Sequence, residues 1–540
     1  MFKKFLSAHF DLIMFFALFL CALKFTYGMP NFMDITLFDE SSYLSGGVNF
    51  LKSGITGAQV GPIYSIWYFL LSLITPQKFA LYYLNQQILT ILLPLILYVT
   101  LRAYKIPILN SAIITFFMLI AKVNLDVFTK VYHFATISIL ISLALAQKPK
   151  TFTSSIAIAT IGALVGAYIR PELFLTFLIF FGIYLLSFLF KIKNLKIKDY
   201  IILGAVIITS LCAIKIFRGM PFHFQNGDRG FCAFGPSFGV NWVRWTHSTL
   251  NPMTNWNEIM QINFGTATTV KEALLNNPIL FIKHVLANIP RTCNQMFKCF
   301  MLHTNILLPP LVYIYAEAYM LISAIFLYLF VLLKNKQIPI KQNFKTNLRP
   351  IFFISIYLLT SLISVLVIFP RTHYILFTGI MLILLLCILL NPKESTKNHS
   401  LKQIMIPALI LFIITPSCFF FYNKTKSIPK PTEQIIRAID DLHIKAPVNL
   451  LEAEGSLNIY LDNNYCSYPE YSKQPDEKYW DFSKRQNLNM IVVSPPLLEY
   501  SRFRADTQFH EFLADPEKYG YKVIPIGEKK LLVQKSLLNN

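Results

Sequence analysis

The sequence predicts a polytopic α-helical membrane protein of about 11 spans with a small C-terminal α/β domain outside the membrane. Three observations carry this. Of 540 residues, 55% are hydrophobic and 14% charged, with a mean hydropathy of +0.51; an average globular chain carries roughly 25% charged residues. Apolar segments of span length recur as far as residue 421. Beyond Lys424 the composition shifts to that of a soluble domain. Together these exclude a disordered chain and a disulfide-stapled secreted scaffold.

A span needs about 20 apolar residues. The segments that qualify are 10–27, 79–101, 107–121, 133–147, 154–169, 171–190, 200–217, 306–333, 350–369, 373–391 and 402–421. A further apolar stretch, 61–76 (GPIYSIWYFLLSLITP), is a twelfth span or a helix lying in the interface. Charge decides between them. If 61–76 does not cross and the N-terminus is inside, the short cytoplasmic segments hold 18 Lys and Arg and the short outer connections 6. A crossing there would move every later loop to the other side and reverse the bias, so the positive-inside rule favours 11 spans, an inner N-terminus and an outer C-terminus. The first span follows Lys3-Lys4 but no small-x-small site follows it, so it reads as a retained span. The net charge of +21 belongs to these cytoplasmic loops, and no basic stripe with base-reading aromatics points to nucleic acid. For a bacterial chain, the expected location is the inner membrane.

Three outer segments are large: 28–78, 218–305 and 422–540. The middle one is rich in Gly, Asn, Trp and Phe and ends in NNPILFIKHVLANIPRT, an amphipathic pattern suited to the membrane surface. The tail alternates between a helix near 432–443, strand 448–453, a helix near 455–461, strand 490–494, a helix near 505–515 and strands YKVIPI and LLVQK. It holds no GxGxxG and no P-loop. Cys21, Cys212, Cys387 and Cys418 lie in spans and read as packing residues. Cys232, Cys293, Cys299 and Cys466 face the outer side, and a disulfide among the first three is left open. The absence of CxxC and HExxH argues against a structural zinc site.

Four polar clusters fall on the outer side. In the first loop, MPNFMDITLFDESSYLSGG, Asp34, Asp39 and Glu40 are three of only 28 acidic residues in the chain, and Tyr43 stands one helical turn after Asp39. Two readings stand: carboxylates complementing a helix start, or a catalytic carboxylate at the membrane surface. In KVNLDVFTKVYH, Asp126 lies seven residues before His133, with Lys122 and Lys130 as available ion-pair partners. Arg170-Pro171-Glu172 and Arg371-Thr372-His373-Tyr374 fall at junctions between spans. Snorkelling accounts for an interfacial Arg, yet ionisable residues in a membrane domain often mark function.

With GPIYSIWYFLLSLI following FDESSYLSGG, the chain resembles the GT-C glycosyltransferases, in particular the protein mannosyltransferase and aminoarabinose-transferase branches. Asp39, Glu40 and Tyr43 match that family's first-loop acidic pair and aromatic. Gly61-Pro62-Ile63-Tyr64 loosely matches its K-P-P-x-x-Y-W segment, without the leading Lys. Asp126 matches its second-loop acidic residue, Arg170 an outer basic residue, and Arg371 with Tyr374 the late Pro-Arg-x-x-Tyr element. The likeness covers roughly residues 30–390 and is looser in the middle loop.

The resemblance implies transfer of a sugar from a polyprenyl-phosphate donor to a glycan, lipid or protein acceptor, with inversion. Asp39 would be the base, with Glu40 or Asp126 orienting the acceptor. Arg170 and Arg371 would hold the phosphate, with Tyr43, His373 and Tyr374 beside the substrates. A phosphate clamped by Arg would not require a cation, and the first-loop carboxylates could hold a divalent one through oxygen ligands; no other cofactor is implied. The C-terminal domain would bind the acceptor or cap the site. Two other classes compete. An O-antigen ligase or polymerase would centre on Arg229, Arg244 and His247. A lipid-linked-sugar flippase would need polar residues along mid-membrane, and the spans offer few.

Overall fold

The structure is a computed structural model that describes residues 2–31, 33–125, 129–190, 197–221, 229–253, 255–300, 339–391, 430–462 and 464–538. Among the described residues, seven helices are long and apolar enough to cross a bilayer. The chain is a polytopic helical membrane protein with a strand-containing C-terminal domain. The expected spans appear as helices Phe2–Thr26, Lys78–Ala103, Ile108–Ile120, Val131–Leu145, Phe152–Ile169, Phe174–Leu189, Ile197–Ile216, Leu348–Val367 and Thr372–Leu389. Ile108–Ile120 and Val131–Leu145 are apolar but shorter than the other seven. The expected spans 306–333 and 402–421 lie outside the described residues. The ambiguous stretch 61–76 forms one helix, Pro62–Ser72, of 11 residues. At about 1.5 Å per residue it reaches roughly half of a ~30 Å hydrocarbon core.

By its contacts the chain divides into two units. The first comprises Met1–Tyr27, Ser53–Ile66 and Asn85–Thr425; the second comprises Gly28–Lys52, Trp67–Leu84 and Lys426–Asn540.

In the first unit, helix Phe152–Ile169 packs on Val131–Leu145, Phe174–Leu189 and Ile197–Ile216. Its buried face is built from Ala157, Ala159, Gly162, Ala163, Gly166 and Ala167, small residues that let helix axes approach in the absence of a hydrophobic driving force. A Cβ on Gly162 would lie 1.9 Å from Ser142 Oγ and 2.3 Å from Ser142 Cβ. The middle loop folds as helices Arg229–Thr246, Trp256–Phe264, Val270–Asn276 and Pro278–Phe300 around Phe234, Phe238, Phe264 and Phe281. The last of these helices, expected to be amphipathic, buries Phe281, His284, Asn288 and Thr292 on one face. Ile279, Ile282, Leu286 and Ile289 stay exposed on it. Its apolar side therefore faces away from the first unit's packed interior.

In the second unit, residues 430–538 build a five-stranded sheet of order β2-β1-β3-β5-β4. Here β1 is Val448–Glu452, β2 Tyr465–Pro469, β3 Met490–Val493, β4 Tyr521–Ile526 and β5 Lys529–Gln534. β1 runs parallel to β2 and β3, while β5 is antiparallel to β3 and β4. Gly527, at φ +59, opens the two-residue turn that joins β4 to β5, a position that needs positive φ. One expectation needs correction and two elements are unforeseen. The helix expected near 455–461 is a 3-10 turn, Leu457–Ile459, because Gly455 (φ +97) and Ser456 (φ +76) cannot enter an α-helix. Strand β2 and helix Tyr479–Gln486 were not expected; both depend on core contacts instead of local pattern. Tyr479 and Phe482 are fully buried against Phe503, Phe509 and Phe512.

Candidate functional site

A cationic cluster assembles in the first unit, around Arg170. Pro171 disfavours α geometry in the residue before it, so Arg170 leaves helix Phe152–Ile169 in an extended conformation (φ −138, ψ 112). A single 3-10 turn, Pro171–Leu173, then brings Glu172 back beside it. Arg170 Nε donates to Glu172 Oε2 at 3.2 Å, and Nη2 donates to Glu172 Oε1 and, at 2.9 Å, to the Tyr132 hydroxyl. The guanidinium carbon lies 4.2 Å from the Tyr132 ring centre. Tyr132 also donates to Glu172 Oε1 at 2.9 Å. Arg170 is 4% exposed, so this is a desolvated, oriented cation and not a snorkelling one.

The late cluster joins it. Pro370 ends the preceding helix, and Arg371 caps the next in an extended conformation, its carbonyl accepting from Tyr374 N at 3.0 Å and Ile375 N at 3.1 Å. His373 packs tilted and Tyr374 edge-on against Tyr132, with ring centres 5.3 and 5.2 Å away. Arg371 itself is exposed. Thus Arg170, Glu172, Tyr132, His373 and Tyr374 form one cluster, with Arg371 beginning the helix that supplies the last two.

A second layer holds that helix junction. The carbonyls ending helix Leu348–Val367 lack intrahelical partners. His284 Nε2 lies 3.0 Å from Val367 O, and Asn288 Nδ2 donates to Leu366 O at 2.8 Å. Asn241 Nδ2 donates to His284 Nδ1 at 2.9 Å and to Asn288 Oδ1 at 3.1 Å. Burial pushes the His284 imidazole down to about 4, against backbone hydrogen bonds that favour its charged form, so it stays neutral at physiological pH. The neutral form with hydrogen on Nε2 satisfies both partners.

The acidic residues stand in the second unit. Asp39 and Glu40 open helix Asp39–Val48. Asp39 is exposed, whereas Glu40 is fully buried and accepts a hydrogen bond from the Tyr68 hydroxyl. Tyr43 is buried in the same helix. Asp34 is engaged elsewhere: it accepts from Thr432 N at 2.9 Å and Glu433 N at 3.1 Å, capping helix Pro431–Asp440. Tyr64, from the loosely matching segment, is buried in the first unit and accepts from Asn85 Nδ2 at 2.8 Å. Asp126 lies outside the described residues. Its neighbour Lys130 is fully buried and donates to Asn124 O at 2.7 Å, 3.3 Å from His133 Nε2. Among the described residues, no three His, Cys, Asp or Glu side chains meet as a metal site would need. Cys293 and Cys299 are free thiols, the latter buried.

Sequence reasoning missed Tyr132, which touches every member of the cationic cluster. Nothing local separates it from the other tyrosines, of which the chain has 27. Its place beside His133 in KVYH was the sole cue.

Neither a protein-family model nor a curated protein matches the sequence. Among solved structures, the chain is similar to the archaeal oligosaccharyltransferase AglB from Archaeoglobus fulgidus in complex with an inhibitory peptide and a dolichol-phosphate. That likeness has 11% identity and a TM-score of 0.45, over 98% of this chain and 74% of that one. It is also similar to ArnT from Cupriavidus metallidurans bound to undecaprenyl phosphate, at 11% identity and a TM-score of 0.45 over 98% of both chains. The functional reading is carried by the side chains above.

Proposed function

We propose that the protein is a membrane glycosyltransferase of the GT-C kind, moving a sugar from a polyprenyl-phosphate-linked donor to an extracytoplasmic acceptor. The observation that supports this best is the oriented Arg170 on Tyr132, braced by Glu172, together with the exposed Arg371 at the head of the helix carrying His373 and Tyr374. A sugar on a polyprenyl phosphate leaves with its electron pair on a phosphate oxygen. That charge calls for cationic stabilisation, and Arg suits it through its planar fork. Arg170 already engages Glu172 and Tyr132, so in this reading Arg371 makes the first contact with phosphate while Arg170 supplies the field and orders the aromatics.

The acceptor needs a base. Asp39 is the exposed carboxylate of the first loop; it takes the acceptor proton as the acceptor heteroatom bonds to the anomeric carbon and the carbon–oxygen bond to phosphate breaks. One displacement inverts that carbon. Glu40, held by Tyr68, orients.

The test is sugar transfer by detergent-solubilised, folded protein from lipid-linked sugars extracted from the native membrane. Asp39→Asn keeps size and removes the basic lone pair, so turnover falls by about 10²–10⁴-fold with donor binding intact. Near wild-type turnover would withdraw Asp39 and move the assignment to Asp126. Tolerance of Asp39→Asn together with failure of Arg244→Ala would favour a ligase built on the middle loop.

A further inference from the structure

Within the second unit, the C-terminal segment holds the first outer loop at three points. Asp34 caps helix Pro431–Asp440. Lys78 Nζ donates to Leu461 O at 2.6 Å while Phe79 stacks on Tyr460, ring centres 5.5 Å apart. The third point is the residue immediately before Asp39: Phe38 N donates to Gly455 O at 3.1 Å.

That third contact is built under strain. Phe38 has φ +61 and ψ −122, a conformation suited to glycine and costly for an aromatic residue. It is the N-cap of helix Asp39–Val48, so its backbone sets where the helix begins and in which direction Asp39 leaves it. Gly455, at φ +97, would place a Cβ 2.6 Å from the Phe38 ring, so the approach requires glycine. The loop that presents Gly455 is pinned in turn. Glu452, 1% exposed at the end of β1, accepts from the backbone N–H of Glu454 (2.6 Å), Gly455 (2.8 Å) and Ser456 (2.7 Å), and from the Ser467 hydroxyl of β2 (2.6 Å). Lys529 of β5 pairs with Glu454 at 2.6 Å. A continuous set of contacts therefore runs from three strands of the sheet to the first residue of the acidic helix. Strain that persists because the surroundings over-determine it is a mark of a functional constraint.

We propose that the C-terminal α/β domain sets the position of the acidic helix, with Glu452, Gly455 and Phe38 as positioning residues for Asp39. This rests on the reading of Asp39 as the base. The discriminating variant is Phe38→Gly in the full-length protein. Glycine adopts the positive φ freely, so the thermal unfolding midpoint in detergent holds or rises. Turnover nonetheless falls by about tenfold or more, because small misplacements of a reacting group are costly, and KM for the extracted lipid-linked sugar is unchanged. A merely structural contact would make activity follow stability. Gly455→Ala, which drives a methyl into the Phe38 ring, lowers kcat similarly, and the double variant loses no more than Phe38→Gly alone. Wild-type kcat in Phe38→Gly alongside an inactive Asp39→Asn overturns the positioning role and leaves the base in place. Wild-type kcat in Asp39→Asn overturns both. If Phe38→Gly fails to fold, its strain reading is wrong and the proposal falls with it.

Discussion

Arg170 and Arg371 are both arginines at helix ends, and their surroundings separate their roles. Arg170 is buried, ion-paired to Glu172 and stacked on Tyr132. Arg170→Ala takes the cationic partner from the partly buried Glu172 carboxylate, so a loss of about 3 kcal/mol in stability is expected, read as a lower melting temperature with or without substrate. Arg371 is exposed. Arg371→Ala should change stability by about 0.5 kcal/mol or less yet weaken donor binding. Arg371→Lys should recover only part of that binding, because an ammonium lacks the guanidinium fork. Unchanged donor affinity in both alanine variants would remove the pair from the mechanism. The same separation applies to Asp39 and Glu40. Their adjacency was legible in FDESSY; which of them faces solvent and which sits buried against Tyr68 was not. Neighbours on a helix point about 100° apart, and only the packing around the helix decides which one is covered.

At the scale of elements, the long spans were legible because 18 or more apolar residues carry their own signal. Where the signal is short, the core decides. β2 is a half-exposed edge strand ending in Pro469, so it lacks the apolar alternation that would mark a strand. Helix Tyr479–Gln486 is polar apart from the aromatics it buries. The helix pair Val131–Leu145 and Phe152–Ile169 gives a test of how close packing supports the site, since these two elements carry Tyr132 and lead into Arg170. Gly162→Ala places its methyl within 1.9 Å of Ser142 Oγ. Such overpacking typically costs about 1–3 kcal/mol, and the distorted pair should also lose donor affinity. Ser142→Gly in the same chain removes the obstructing atoms and should restore both. A melting temperature for Gly162→Ala equal to wild type would show that the helices separate without cost.

For the whole molecule, the charge bias of 18 against 6 predicts sidedness. Reporter fusions after Lys198 and Lys345 should behave as cytoplasmic, and fusions after Lys430 as external. A cytoplasmic reporter at 430 would overturn the 11-span count and the placement of the acidic loop outside. The sequence reading drew one boundary, between residues 421 and 422, and left the first outer loop with the membrane region. Residues 28–52 and 67–84 group with 426–540.

The sequence by itself determined the class of protein, most of the long apolar helices and the residue types available for chemistry. Each of these follows from composition or from a periodicity that neighbouring residues carry. Tertiary structure alone decided that Tyr132 orients Arg170, that His284 and Asn288 hold the end of helix Leu348–Val367, and that Gly455 meets Phe38. The physical reason is separation along the chain. Asp34 meets Thr432, Phe38 meets Gly455 and Lys78 meets Leu461 across 398, 417 and 383 residues. Contacts of that span leave no local pattern, because their partners are selected by shape and hydrogen-bonding need only after the helices and the sheet have formed.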